Sequence, residues 1–248
     1  MGATACAVLQ PVTGTVVADR PGYTDTPTAL PARGFAIEAG VTDDHVAAVT
    51  YRSIGELLVR AGVGGRTELR FFANSFGVHS ASGGPTTRGL EDTKVGVKIA
   101  LHTAPDSVHG LLPRLAFLAA TTLPTGAANR SAGKAQPEAK LAAAWTTSGP
   151  FSLYTNLGLG GVYDGTAWGT HGWVSTALWF AASPKVSLFG EGLIVGRISG
   201  TATSANFIDG GVTYLFSDHL QADIRGGRGI GATAGHEHFL GLGVAWRW

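Results

Sequence analysis

The sequence predicts an all-β protein, a twelve-stranded antiparallel transmembrane β-barrel of the outer-membrane type. Three observations carry this expectation. First, from Phe35 onward the chain divides into twelve segments in which apolar and polar residues alternate, beginning near Phe35, Val49, Thr67, Glu91, Leu111, Pro137, Phe151, Gly172, Val186, Asn206, Leu220 and Glu237. Successive side chains of a strand point to opposite faces, so each segment has one apolar and one polar or small face. Second, the links between segments differ by end. Those at Gly64-Gly65-Arg66, Ser148-Gly149-Pro150, Ser183-Pro184-Lys185 and Ser217-Asp218-His219 are short and built from turn formers, whereas 77–90, 124–136, 164–171, 199–205 and 226–236 are longer and more polar. Outer-membrane barrels have this asymmetry, with short periplasmic turns and long extracellular loops. Only the 102–110 link breaks the pattern. Third, the last strand pattern runs to an aromatic C-terminus, Trp248.

Composition agrees. Charged residues make up 14% of the 248 positions and the net charge is +1, against about a quarter charged in soluble domains. No apolar run reaches the roughly 18 residues that mark a helical span, but a barrel strand needs only about 9–11. No basic patch suggests nucleic acid. One cysteine, Cys6, excludes an intramolecular disulfide.

The elements follow in order. Residues 1–34 hold Pro11, Pro21, Pro27 and Pro31 and show no alternation, which predicts an irregular segment that plugs the barrel or straps it from the periplasm. Its start, MGATACAVLQ, is apolar without a basic region and reads as the tail of a secretory signal cleaved near Ala5 to Ala7. Residues 35–248 form the barrel. The clearest hairpin is VTYRSIGELLVRAGVGGRTELRFFANSF, residues 49–76. Tyr51, Ser53, Gly55, Leu57, Val59, Ala61 and Val63 share one face; Arg52, Ile54, Glu56, Leu58, Arg60 and Gly62 share the other. Gly64-Gly65 suits a turn needing positive φ. Later segments repeat the sorting: Thr93, Val95, Val97, Ile99 and Leu101 oppose Lys94 and Lys98, and Leu220, Ala222 and Ile224 oppose Asp223 and Arg225. In the last segment Leu240, Leu242, Val244, Trp246 and Trp248 share a face. Trp246 and Trp248 resemble the C-terminal signal by which outer-membrane barrels are recognised for assembly, which implies the barrel-assembly machinery as a partner. Trp145, Trp173, Trp179, Tyr163 and Tyr214 are further candidates for the aromatic girdles at the lipid interfaces.

A soluble barrel would turn its charged faces to water, whereas a membrane barrel turns them inward and its apolar faces to lipid. The candidate lumen residues are therefore Glu38, Arg52, Glu56, Arg60, Glu68, Arg70, Lys94, Lys98, Lys140, Glu191, Arg197, Asp209, Asp223, Arg225 and Arg247. Both signs are present. An unpaired charge in a dry site costs several kcal/mol, so these residues predict either a wet conduit or an ion-pair network that fills a narrow barrel.

The order of several short motifs is similar to that of a known family. They are Asp19-Arg20-Pro21-Gly22-Tyr23-Thr24-Asp25, then the stretches from Gly34 to Gly40, Glu56 to Val63 and Thr67 to Arg70. Gly89 to Lys98, Leu123-Pro124-Thr125-Gly126 and Asp209 to Tyr214 follow. Together they resemble the outer-membrane transporters named for the meta-pathway of phenol degradation, over nearly all of residues 19–248. The resemblance implies an outer-membrane barrel of a Gram-negative-type envelope with a role in transport, and brings no catalytic residues.

No enzyme is expected. The eight histidines lie mostly in turns and loops, and no G-x-S-x-G elbow accompanies them. His236-Glu237-His238 places two imidazoles on one strand face without a third ligand, so no metal site is read there. Gly226-Gly227-Arg228-Gly229-Ile230-Gly231 has no following helix to make a phosphate site and reads as an extracellular loop. No cofactor is implied. The functional expectation is a porin-like channel for passive uptake or efflux of small molecules, aromatic or otherwise apolar. The alternative is a structural or interaction barrel with a filled lumen and partner-binding loops.

Overall fold

The computed structural model describes residues 14–73, 75–103, 112–231 and 238–248. The signal reading, Cys6, His109, the exceptional link after His102 and His236-Glu237 lie outside these. Fourteen strands make one sheet: β1 (Phe35–Val46), β2 (Val49–Gly64), β3 (Thr67–Phe72), β4 (Phe76–Ala81), β5 (Thr86–Leu90), β6 (Thr93–His102), β7 (Arg114–Leu123), β8 (Gln136–Thr146), β9 (Phe151–Tyr163), β10 (Trp168–Ala181), β11 (Val186–Ser199), β12 (Ala205–Ser217), β13 (Leu220–Gly229) and β14 (His238–Arg247). Every pairing is antiparallel, and β1 closes the sheet by pairing with both β2 and β14.

The barrel has twelve staves, because two of them are broken. The 16-residue β2 carries β3 along Leu58–Gly64 and β4 along Val49–Ile54. β6 and β5 pair with β3 and β4 in the same way. The 77–90 stretch, expected as a loop, is thus mostly the β4–β5 hairpin that continues the wall. Other loop-end links shrink for the same reason. The turn after β9 spans only 164–167, and β13 runs through Gly226 to Gly229 instead of ending before it. Gly227 is in the wall because a Cβ there would lie 2.5 Å from the Asp209 side chain and 2.6 Å from the Phe239 ring.

The burial pattern is inverted relative to a soluble protein. Arg60, Glu68, Lys98, Asn156 and Ser175 are wholly shielded from solvent, while Leu157, Leu159, Ile194 and Leu240 are 58–60% exposed. A continuous apolar outer wall around a charged interior is stable only with hydrocarbon outside, and closure through β1 leaves, among the described residues, only the short β5 paired on one side. The protein is an outer-membrane barrel.

One bulge changes the face count. Between the Glu38–Leu58 and Gly40–Gly55 pairs, two residues of β2 oppose one of β1. Gly55 and Glu56 hold positive φ values of 109° and 40°, and the extra residue reverses the alternation. Leu58, Arg60 and Gly62 point inward below the bulge, Tyr51 and Ser53 above it. Arg52 therefore leaves the expected lumen set. Its side chain faces out, half exposed, and donates to Asp43 Oδ1 at 2.6 Å and Oδ2 at 2.9 Å.

Candidate functional site: the occupied lumen

The site is built by the non-strand residues 14–34 inside the barrel. The Val16 N–H donates to Asp218 O at 2.8 Å, and Arg247 donates to the carbonyls of Gly14 and Thr15, all at the end holding the short 217–220 turn. The segment then climbs inward and returns, and at Arg33 its N–H donates to Gly62 O at 2.8 Å beside the Gly64–Arg66 turn. It is a loop folded up into the barrel from one end. Gly62 lets it pass, since a Cβ there would stand 1.9 Å from Pro31 O.

Charge decides how this segment sits. At its level the β1–β3, β6 and β8 wall presents four cations, Arg60, Arg70, Lys98 and Lys140, against two carboxylates, Glu38 and Glu68. The segment supplies the two missing negative charges. Asp19 takes Lys98 Nζ at 3.0 and 2.8 Å and pairs with Arg70 and Arg60; Asp25 pairs with Arg70 at 3.0 Å and with Lys140. Arg60 also donates to Glu38 at 2.8 Å and to both oxygens of Glu68 at 2.9 Å. Glu38 in turn accepts the backbone N–H groups of Asp19 and Arg20, and Glu68 that of Leu30 at 2.9 Å. Beside this cluster, Glu56 on β2 and Asp223 on β13 are acidic and the segment presents a cation to them: Arg20 donates to Glu56 at 2.8 Å and to Asp223 at 3.4 Å. Buried charges persist only when paired, and here each sign on the segment meets the opposite sign on the wall. Polar clamps extend the contact. Asp25 and Asn156 exchange two hydrogen bonds at 2.9 and 3.0 Å, and Glu191 accepts from the Tyr23 N–H at 2.7 Å and from the Thr24 hydroxyl.

The other expected lumen residues fall as follows. Lys94 pairs with Glu138 at 3.1 Å and stands 5.2–5.4 Å from the Phe72 ring together with Arg70. Asp209 is partly buried, and its Oδ2 is closed to solvent with no hydrogen-bond partner among the described residues. Arg225 lies between the Tyr23 and Phe239 rings, at 5.2 and 5.3 Å, and reaches Thr42. Arg197 is exposed near the end of β11. Trp246 and Trp248 face outward with ring centroids 5.8 Å apart.

Two tryptophans expected in the girdles point inward instead. Trp173 and Trp179 share the face of Ser175 and Ala177, both buried in β10. Trp173 lies over Gly158, whose Cβ would come within 2.3 Å of the indole, and Trp179 stacks on buried Phe189 at 4.9 Å with Tyr154 edge-on at 6.4 Å. The lumen thus has an ionic wall on β1–β3, β6 and β8 and an aromatic wall on β9–β11. Sequence reasoning missed this aromatic wall and the roles of Asp19, Arg20 and Asp25. The signal for the latter was present: three charges crowd into seven residues of a chain otherwise poor in charge.

Above the segment, on the loop side, a cavity of about 700 Å³ remains, bounded by Tyr23, Tyr51, Phe72, Leu57, Arg70 and Arg225 among others. The family motifs meet near its rim. Asp92 accepts the Gly126 N–H at 2.8 Å and that of Ala132 at 3.2 Å, and the Ala127 N–H donates to Leu90 O at 2.8 Å. Gly126 packs so closely that a Cβ would approach Leu90 O at 2.8 Å.

A family model described as "Putative MetA-pathway of phenol degradation" matches residues 18–248. The chain belongs to this family. Its fold matches an outer-membrane channel from Pseudomonas putida F1, of the group called COG4313, with a TM-score of 0.70 at 16% identity; the match covers 92% of this chain and 99% of that one. The NanC porin and the KdgM porin each match with a TM-score of 0.58 at 8% identity, covering 86% of this chain and 100% or 99% of theirs. No curated protein sequence matches the chain.

Proposed function

We propose that the protein is a passive conduit for small apolar or aromatic molecules across the outer membrane, with residues 14–34 obstructing its short-turn end. The cavity of about 700 Å³ carries this reading. Tyr23, Tyr51, Leu57 and Phe72 offer a solute aromatic and apolar surface there, beside charged Arg20, Asp44, Glu56, Glu91 and Arg225, so the cavity admits a small molecule that is part apolar and part polar. The aromatic wall of Trp173, Trp179 and Phe189 continues such surface along the opposite side. The similarity in shape to a Pseudomonas putida outer-membrane channel supports the same class. The chemistry asked of the site is desolvation and exclusion, with no covalent step. Paired lumen charges, among them Glu56, Arg60 and Asp223, shape the path by holding the segment. Trp246 and Trp248 act in this reading as the signal for the barrel-assembly machinery.

The test is liposome swelling by the folded protein with graded sugars and small aromatic solutes. Wild type should pass the smallest solutes, and Glu56→Ala, which removes one partner of Arg20, should raise the flux. A second reading, a filled structural barrel with partner-binding loops, is favoured by the density of ion pairs around Asp19. No swelling with any solute, from either folded protein, would select it.

A further inference from the structure

The outer wall has a depression that channel function does not use. Across β8–β11 the lipid-facing row contains Ala139, Gly172 and Gly196, and the missing side-chain volume leaves a groove of about 630 Å³. Its banks are large: Leu141, Leu159 and Val174 toward β8–β10, and Ile194 and Ile198 on β11, the last two 60% and 64% exposed. Gly196 has no atom within 4 Å of an added Cβ, so the groove floor is open there. Four residues nearer the loop end on β10, or about 13 Å along the strand, Trp168 covers Gly161 and lies 5.5 Å from the Tyr163 ring. Lys134 Nζ stands 6.0 Å from that same ring. The acid on this rim, Asp164, is engaged in its own turn: it accepts from the Thr166 and Ala167 N–H groups at 2.8 Å, donors that hold its carboxyl well below the usual range.

We propose that this face is a binding site for one membrane lipid with a phosphate-bearing headgroup. An acyl chain fills the groove over Gly196, alongside the Ile198 side chain that covers Gly172, and the phosphate meets Lys134 above the Trp168–Tyr163 pair. Several features select this occupant. The groove opens on the lipid side of a closed barrel, where hydrocarbon is the surrounding medium. The aromatic pair and the cation stand together at its upper end, where headgroups lie and where aromatic rings and Lys side chains anchor. Lys134 adds attraction for a phosphate at that level.

The experiment is native mass spectrometry of the full chain, stripped of lipid in detergent and then incubated with phosphatidylglycerol or with a diacylglycerol of the same chains. Folding of each variant is checked by heat-modifiable mobility. Wild type should retain one phosphatidylglycerol and little diacylglycerol. Gly196→Leu, which fills open space, should lower that occupancy about tenfold for the few methylenes it displaces, and Lys134→Ala should remove the preference for phosphatidylglycerol. Equal retention of phosphatidylglycerol by wild type and folded Gly196→Leu, or no retention by wild type, would overturn the site. Equal retention of the two lipids by wild type would overturn the phosphate contact.

Discussion

At the scale of single residues, Asp19 is the segment's main ionic anchor, with three cationic partners. It faces Arg60, Arg70 and Lys98, all buried, so removing its charge leaves three cations short of a counter-ion. Breaking one partner of a buried ion pair costs about 3–5 kcal/mol. Asp19→Asn should therefore loosen residues 14–34 selectively, seen as faster amide exchange of that segment while the strand amides stay protected. Lys98→Met removes a buried ammonium whose carboxylate partner is Asp19. Asp19→Asn and Lys98→Met combined should cost less than the two losses added, and a double-mutant cycle in urea unfolding reads that coupling. Arg52 is the contrast. It sits outside the barrel, opposite Asp43, and Arg52→Ala should leave solute flux unchanged. Alternation alone could not have separated Arg52 from Arg60, since both fit the same period. The distinction lies in the conformation of Gly55 and Glu56 between them.

At the scale of elements, that bulge shows where strand periodicity stops being informative. The charged faces of β3, β6, β11 and β13 were legible because burial inside the barrel selects them residue by residue. The bulge was not, because a glycine in a strand pattern is compatible with several causes. The two broken staves escaped for a similar reason. The breaks at 73–75 and at Glu91-Asp92 carry polar residues that also suit loop ends. Asp92 serves another element, capping the 124–132 stretch by hydrogen bonds. The inward Trp173 and Trp179 were misplaced because tryptophan is compatible with an interfacial belt and with a lumen wall alike. Gly55 provides the test of the bulge. Its φ of 109° is open to few side chains, so Gly55→Val should cost about 1–3 kcal/mol in urea unfolding and reduce the folded yield. The same substitution at Gly64, which has no atom within 4 Å of an added Cβ and no positive φ, should cost less.

At the scale of the whole molecule, the charge pattern assigns a selectivity to the barrel once its segment is gone. The wall facing Asp19 and Asp25 presents Arg60, Arg70, Lys98 and Lys140 against Glu38 and Glu68, an excess of two positive charges at the level the segment fills. The wall facing Arg20 presents Glu56 and Asp223. Asp19 and Asp25 cancel the first excess, and Arg20 offsets one of the two negative charges of the second. A chain that keeps the barrel but carries Asp19→Asn and Asp25→Asn restores the excess of cations on one wall while Arg20 still screens the other. In planar bilayers under a salt gradient, this variant should conduct more than wild type and its reversal potential should shift toward anion selectivity. Arg20→Ala should do the opposite, baring Glu56 and Asp223 and favouring cations. If both variants shifted the potential in the same direction, the lumen current would be passing somewhere other than between these two walls. The opposed shifts would place the conduction path along the face that the segment now covers.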